Sequence, residues 1–124
     1  AVRTLVPKGA EAELIVVYDD VDLALGEVKI SFDRGAGGHN GLKSIIERLG
    51  TTAFVRVRVG VAQKSFFTGA LKRPKGEALP KFVLAPFTAK EQKVLEEVLS
   101  KSCDAIIAIV GQGREYAMNQ FNKN

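Results

Sequence analysis

The stretch from Gly35 to Gly50, GAGGHNGLKSIIERLG, constrains the fold of this chain more than any other. Its apolar residues recur at i, i+3, i+4 and i+7, the stripe of an amphipathic helix: Leu42, Ile45, Ile46 and Leu49. We expect Asn40 at the N-cap and Gly50 at the C-terminal end of this helix. The sequence therefore predicts a glycine-rich loop that delivers His39 and Asn40 to the N-terminus of a helix.

Two interpretations of this loop are open from its residues alone. Glycines carry no Cβ, so the backbone can approach a bulky ligand closely, and a helix N-terminus favours anionic groups. A turn that leads into a helix cap explains the same residues without any ligand.

A strand precedes this loop. The run LIVVY, Leu14–Tyr18, is continuously apolar and rich in β-branched residues, which predicts a strand buried on both faces of an α/β sheet. Asp19, Asp20 and Asp22 follow at once. Ligands bind beyond the carboxyl ends of strands in open α/β sheets, so these acids are candidate site residues. A turn and a magnesium-type site are the alternatives.

Two further segments alternate between apolar and polar residues. Glu27 to Phe32 predicts a half-exposed strand. From Ala53 to Val61 the valines share one face, and Phe54, Arg56 and Arg58 share the other. Two arginines on one face require acids or phosphate as partners, and the spacing does not decide between them.

The segment from Ala62 to Pro80 shows no sustained period, which predicts a long irregular loop. Between Gln63 and Lys81 it is basic, and Phe66 and Phe67 lie among its lysines. Such a loop suits nucleic acid, and it could equally pack back on the core. A short helix is expected over Leu79–Leu84.

Helices are expected at both ends of the chain. Residues 1–9 have the pattern of the end of a helix. Thr88 and Glu91 form a capping box ahead of a long helix that ends near Gly111. Its expected buried face comprises Val94, Leu95, Val98, Leu99, Ile106, Ile107 and Val110, with Cys103 as a small buried hydrophobe. A last helix is expected over Arg114–Phe121.

Length and composition fit one domain over residues 1–124. One cysteine excludes an internal disulfide, and no Cys/His cluster with zinc-ligand spacing exists. The sequence has no run of eighteen apolar residues, so it predicts no membrane-spanning helix. The net charge of +4 is consistent with a polyanionic partner. The expected fold class is α/β, a three-layer α/β/α sandwich with a mixed sheet in which a hairpin-like link joins the first two strands.

Four segments in fixed order resemble bacterial-type peptidyl-tRNA hydrolase and cover nearly the whole chain: YDDVDL (18–23), GAGGHNGLKSI (35–45), FVRVRVGV (54–61) and REYAMNQFN (114–122). The resemblance implies a peptidyl-tRNA hydrolase-like sandwich that is N-terminally truncated here. The family begins with a strand and a GLGNPG loop, a T-R-H-N segment with the catalytic histidine, and a T-F-M-N-x-S-G stretch. None of these is found in the 124 residues.

The resemblance also implies a reaction, hydrolysis of the ester between peptide and tRNA. It uses no metal or other cofactor: a histidine acts as general base on water and an aspartate supports it. By the resemblance Asp19 is that aspartate, and Asn40 positions the water or the substrate carbonyl. Gly38 and His39 belong to the loop that gates access, so the sole histidine of this chain is not the expected base.

The basic residues receive roles by the same resemblance. Lys29, Lys43, Arg56 and Arg58 match positions that hold the phosphates of the acceptor stem. The mobile lid of the family corresponds to the basic loop, with Lys64, Lys72, Arg73 and Lys75. This loop departs from the family pattern, because GVAQK (60–64) replaces the usual G-I-G-R-P, and Tyr18 stands where a histidine is common.

The expected partner is peptidyl-tRNA, and the chain is expected to be a cytoplasmic monomer, with an organelle as the alternative in a eukaryote. Without the histidine base, little activity is expected from these residues alone. A catalytically silent RNA-binding relative, such as an organellar splicing factor, is the competing hypothesis that the long basic loop favours. A general α/β hydrolase is disfavoured because no G-x-S-x-G motif occurs.

Overall fold

The sheet is organised around β3, Val55–Lys64, which lies between two other strands. On one side β1, Ile15–Ala24, pairs with it in parallel, and on the other β2, Val28–Phe32, pairs with it antiparallel. Residues 54–60 are all buried, which explains why this segment takes the central position. The sheet is therefore mixed, as expected.

The structure is a computed structural model, and it describes residues 2–64, 71–72 and 88–123. Besides the three strands, these residues form a short strand and four α-helices: β4 at Leu71–Lys72, α1 at Val2–Leu5, α2 at Asn40–Leu49, α3 at Ala89–Gln112 and α4 at Arg114–Phe121. A 3₁₀ turn spans Glu11–Glu13. The helix expected over 79–84 lies outside the described residues.

Helices cover both faces of the sheet. On one face the valines of β3 pack with β2, α3 and α4 in a cluster that comprises Val28, Ile30, Val55, Val57, Val59, Val98, Ala105, Ile109 and Ala117. On the other face Phe54 packs with Val6 and with Leu42 and Leu49 of α2. The predicted alternation along β3 is confirmed, and so is the three-layer α/β/α arrangement.

Strand β1 is longer than predicted and lies at an edge. It continues through Ala24, so Asp19, Asp20 and Asp22 belong to the strand rather than following it. Burial on both faces was the wrong expectation, since Val17 is 44% exposed. The reason is positional: of the described long strands, β1 pairs only with β3.

The hairpin expected between β1 and β2 does not form, because β3 is inserted between these two strands. The connecting turn is instead tied to β3, since Leu25 N–H donates to Ala62 O and Gly60 N–H donates to Glu27 O. Gly60 is required at this crossing. A Cβ there would overlap the carbonyl oxygen of Ala24 and lie 2.8 Å from its carbon.

Part of the predicted irregular loop is strand. Gln63 pairs with Lys72 and Lys64 with Leu71, so β3 extends to Lys64 and β4 returns antiparallel to it. Of the predicted lid residues, Lys64 and Lys72 thus lie on strands, and Arg73 and Lys75 lie outside the described residues.

Helix α3 begins as predicted, and its expected buried face is confirmed only in part, at Val94, Val98 and Ile106. Both hydrogen bonds of the capping box are present: Glu91 N–H donates to Thr88 Oγ1 at 3.2 Å, and Thr88 N–H donates to Glu91 Oε1 at 2.9 Å. The buried residues are Val98, Ser102, Ala105 and Ile109, whereas Leu99, Cys103, Ile107 and Val110 are exposed. The small Ser102 and Ala105 let the helix approach the sheet closely, which a count of apolar residues does not show.

Candidate active site

Helix α2 and its preceding loop carry the first half of the site. His39, not Asn40, is the N-cap: its backbone is extended (φ −78°, ψ 113°), and its Nδ1 accepts the Leu42 N–H at 3.0 Å. Asn40 is the first helical residue and is exposed. The imidazole provides the acceptor that an asparagine oxygen would otherwise offer, so the predicted cap is displaced by one residue. Gly50 ends the helix as expected, with a left-handed backbone.

The second half of the site is Asp19 on β1. Its Oδ1 lies 2.9 Å from Nε2 of His39, and the two side chains are 39% and 27% exposed. Tyr18 contacts the same imidazole edge-on, with ring centroids 5.2 Å apart. The carboxylate was expected to meet a histidine outside this sequence, and in this structure it pairs with the sole histidine that the sequence contains.

These two hydrogen bonds define the tautomer of His39. Because Nδ1 accepts a backbone N–H, the neutral ring carries its proton on Nε2 and donates it to Asp19. Neither ring nitrogen then has a free lone pair. His39 could take a proton from water only by giving up the cap of α2, which disfavours it as a general base.

Asn40 is the free polar group of the site. Its side chain is exposed and has no hydrogen-bond partner among the residues described. The loop before it is also exposed at Gly37 and Gly38, where φ is +59° and +86°. A β-branched or bulky residue would be strained at either position, so both positions favour glycine.

Arg58 lies under the site rather than on its surface. Its Nε donates to Asp20 Oδ2 at 2.8 Å and its guanidinium also donates to Ser31 Oγ at 3.3 Å. The Arg58 and Asp20 side chains are 7% and 11% exposed. This arrangement differs from the predicted phosphate contact, because the donors of Arg58 already face a buried carboxylate and a hydroxyl.

Arg56 is fully buried on the same face of β3. Its guanidinium donates to the backbone carbonyls of Arg34, Gly35 and Thr52 and lies 4.0 Å from the centroid of the Phe54 ring. It therefore does not present a donor to phosphate either. The expected acidic partner is present for Arg58 alone, since Arg56 meets neither an acid among the described residues nor a position open to phosphate.

The two predicted lysines differ from these arginines. Lys29 is half-buried on β2, opposite Arg58 in the sheet register, and Tyr18 lies opposite Arg58 on its other side. Residues paired in this way project from the same face, so Lys29 lies on the face that packs against α2. Lys43 is exposed in the first turn of α2. Within the described part of the chain neither lysine has an ion-pair partner.

The described ranges contain neither a cluster suited to a metal ion nor a membrane-spanning helix. No group of three or more His, Cys, Asp or Glu residues there is arranged to hold a metal ion. No helix there is long and apolar enough to cross a membrane.

Sequence reasoning missed three partners at this site. Tyr18 packs on the imidazole, Asp20 neutralises Arg58, and Ser31 accepts from the same guanidinium. The two arginines were a signal that a carboxylate had to lie nearby. Only the strand register shows which of the three aspartates pairs with Arg58.

The fold and site define a class: an α/β/α sandwich domain in which a carboxylate and an imidazole meet at the N-terminus of a helix whose first residue is Asn40. The sequence model of the family described as peptidyl-tRNA hydrolase matches residues 3–124. The chain belongs to this family.

Named relatives agree with the family match. The chain is 34% identical over 116 residues to peptidyl-tRNA hydrolase of Thermodesulfovibrio yellowstonii. The alignment covers 94% of this chain and 57% of that protein. It is 39% identical over 125 residues to peptidyl-tRNA hydrolase of Lachnoclostridium phytofermentans. That alignment covers 99% of this chain and 61% of that protein. The crystal structure of peptidyl-tRNA hydrolase from Acinetobacter baumannii superposes with a TM-score of 0.71 at 24% identity, over 87% of this chain and 50% of that one.

Two conclusions follow. The chain spans little more than half the length of the curated relatives that it matches. These relatives all carry the name of a hydrolase, so the hypothesis of a catalytically silent RNA-binding relative has no support among them.

Proposed function

We propose that this chain acts in hydrolysis of the ester bond between peptide and tRNA in peptidyl-tRNA. The observation that carries the proposal is the carboxylate of Asp19 held 2.9 Å from His39, which directly precedes the exposed Asn40. A carboxylate can orient an imidazole and stabilise the imidazolium that forms when that imidazole takes a proton from water. An exposed amide can bind the attacking water or polarise the substrate carbonyl.

We assign the general base to a histidine other than His39, in line with the family pattern. His39 is excluded from that role here because its Nδ1 caps α2 and its Nε2–H is directed at Asp19. Oδ2 of Asp19 makes no hydrogen bond to any described residue, so it is available to a second imidazole. Gly38 and His39 line the approach to this position.

The proposed tRNA contacts are Lys29 and Lys43, together with the basic segment that includes Lys64, Lys72, Arg73 and Lys75. Lys29 and Lys43 have no ion-pair partner in the described residues, so a phosphate would not have to displace a carboxylate. Arg56 and Arg58 are omitted because Arg56 is fully buried against backbone carbonyls and Arg58 is paired with Asp20. We further propose that the protein is a cytoplasmic monomer that needs no metal. Light scattering would test the monomeric state, and activity in the presence of a chelator would test the independence of metal.

The test is hydrolysis of an N-blocked aminoacyl-tRNA. It compares the 124-residue chain with a version extended at its N-terminus by the corresponding segment of the Lachnoclostridium phytofermentans relative. We expect the extended version to be active, and Asp19→Asn to lower its kcat by roughly 100-fold or more. Asn40→Ala should also lower kcat, by about 100-fold, since one donor to a developing charge is lost.

Matched substitutions on the outer helices provide the controls. Asp104→Asn on α3 and Asn119→Ala on α4 alter the same residue types at exposed positions. Both should retain full activity. Full activity of Asp19→Asn would contradict the role of Asp19, and an inactive extended protein would contradict the proposed reaction.

A further inference from the structure

Arg56 has no partner that explains why a charge is buried at this position. It is fully inaccessible, and its acceptors are three backbone carbonyls. Its Nε has no hydrogen-bond partner, and no carboxylate of the described residues lies within ion-pair distance of it. A guanidinium without a counter-charge is expensive to bury, so an apolar residue would stabilise the core better at this position.

The three carbonyls share one property, which is their place in the chain. Arg34 and Gly35 lie at the start of the glycine loop, and Thr52 lies three residues after the last residue of α2. The guanidinium therefore joins the two ends of the segment 36–51, which carries His39 and Asn40. The Thr52 carbonyl is 2.9 Å from Nη2 and the Gly35 carbonyl is 3.4 Å from Nη1.

A second link joins the same two ends of segment 36–51, which we call the neck of the segment, on its exposed side. The Thr52 hydroxyl donates to Asp33 Oδ1 at 2.6 Å, but this pair is exposed. Water competes for exposed hydrogen bonds and does not reach the buried guanidinium. The strand ladder also closes this neck, since Asp33 N–H donates to Phe54 O, and the guanidinium adds a side-chain link that is buried.

We infer that Arg56 is a positioning residue: it closes the neck of segment 36–51 and so places His39 and Asn40 against Asp19. A lysine could not replace it. The planar guanidinium directs separate N–H groups to carbonyls on both sides of the neck, whereas lysine has a single ammonium group. The inference rests on the proposed function only in assigning this geometry to catalysis. The placement of His39 against Asp19 can be measured without any reaction.

The closing experiment uses the only histidine as a reporter. In the 124-residue protein, ¹⁵N NMR of His39 should show one protonated nitrogen, Nε2, and one unprotonated nitrogen, Nδ1. Arg56→Lys should shift this pattern towards the tautomer mixture of a free imidazole. Arg114→Lys is the matched control, because Arg114 also stacks on a phenylalanine, with 3.7 Å to the centroid of Phe32. An unchanged His39 pattern in folded Arg56→Lys would overturn the inference.

A measurement on the unaltered protein covers the case in which Arg56→Lys does not fold. If the guanidinium bridges the neck, its Nη protons should give separate, slowly exchanging NMR signals, because rotation of the group is blocked. A single averaged signal would overturn the inference.

The kinetic consequence separates this inference from the proposed function. In the N-terminally extended version, Arg56→Lys should lower kcat roughly 10- to 100-fold through misplacement of Asn40, and KM should change much less. Arg114→Lys should change neither. If the extended version is inactive, the proposed reaction fails, and the His39 signals still decide the role of Arg56.

Discussion

At the scale of single residues, His39 performs two tasks with one ring. Nδ1 caps α2 through the Leu42 N–H, and Nε2–H binds Asp19. Histidine is an uncommon N-cap, so the sequence favoured Asn40 for this task. The imidazole is long enough to cap the helix with one nitrogen while its other nitrogen reaches β1, and the side chain of asparagine is too short to do both.

The capping role predicts a difference between two substitutions. His39→Ser keeps a side-chain acceptor for the first turn, and His39→Ala removes it. Both lose the contact with Asp19. We expect His39→Ala to be the less stable of the two by about 1 kcal/mol in the free energy of unfolding, measured by urea denaturation. Equal stability would show that the hydrogen bond to Leu42 contributes nothing.

Arg58 and Asp20 form a nearly buried ion pair, which predicts strong coupling between them. Arg58→Met alone leaves a carboxylate with little access to water, so it should cost about 3–5 kcal/mol of unfolding free energy. Adding Asp20→Leu should recover much of this loss, because the unpaired charge is then absent. The double-mutant cycle measures the coupling, and additive losses would contradict it.

At the scale of elements, α4 is anchored to the free edge of the sheet by one side chain. Asn122, directly after α4, accepts the Ile30 N–H and donates to the Ile30 carbonyl, both at 2.8 Å. These groups of β2 point away from β3, and among the described residues Asn122 is the one that pairs with them. Asn122 thus occupies the place of a further strand and protects the edge.

Removing this anchor should loosen the edge. Asn122→Ala is expected to cost about 1–3 kcal/mol of unfolding free energy and to speed amide hydrogen exchange at Ile30. Asn119→Ala, at an exposed position of α4, should stay within about 0.5 kcal/mol of the unaltered protein. Slow exchange at Ile30 in Asn122→Ala would show that another group protects this edge.

The orientation of α3 makes a separate prediction at this scale. Cys103 is on its exposed face, although the apolar run around it suggested burial. A maleimide should therefore label the native protein once, without denaturant, as mass spectrometry would show. If labelling requires unfolding, the orientation of α3 is different from the one described.

At the scale of the whole molecule, charge is divided between structural and exposed positions. The net charge is +4, yet two arginines of β3 are committed to protein acceptors, and Lys29 and Lys43 have no ion-pair partner among described residues. The sign of the charge can be counted from the sequence. Which cations remain available to a polyanion depends on burial.

This division predicts the salt dependence of tRNA binding. Lys29→Ala and Lys43→Ala should each reduce the slope of log K against log salt concentration by about 0.7–0.9, the amount expected for one phosphate contact. Lys101→Ala, exposed on α3, should leave the slope unchanged. Filter binding at several salt concentrations measures these slopes, and an unchanged slope for Lys29→Ala would remove it from the interface.

The sequence by itself determined the local elements, because helix periodicity, capping residues and strand alternation depend on neighbours along the chain. The end of α2 at Gly50, the capping box of Thr88, the span of α4 and the two faces of β3 are of this kind. The family resemblance also came from the sequence, through four short segments in order.

Only the tertiary structure decided which strands are neighbours and which polar groups meet. The order β1-β3-β2, the pairing of Asp20 with Arg58, and the closure of the α2 segment by Arg56 all join residues far apart in the chain. A periodic pattern indicates which face of a strand a residue occupies, but it carries no information on what lies opposite that face. For this reason both arginines were candidates for phosphate until the register placed carbonyls and a carboxylate against them.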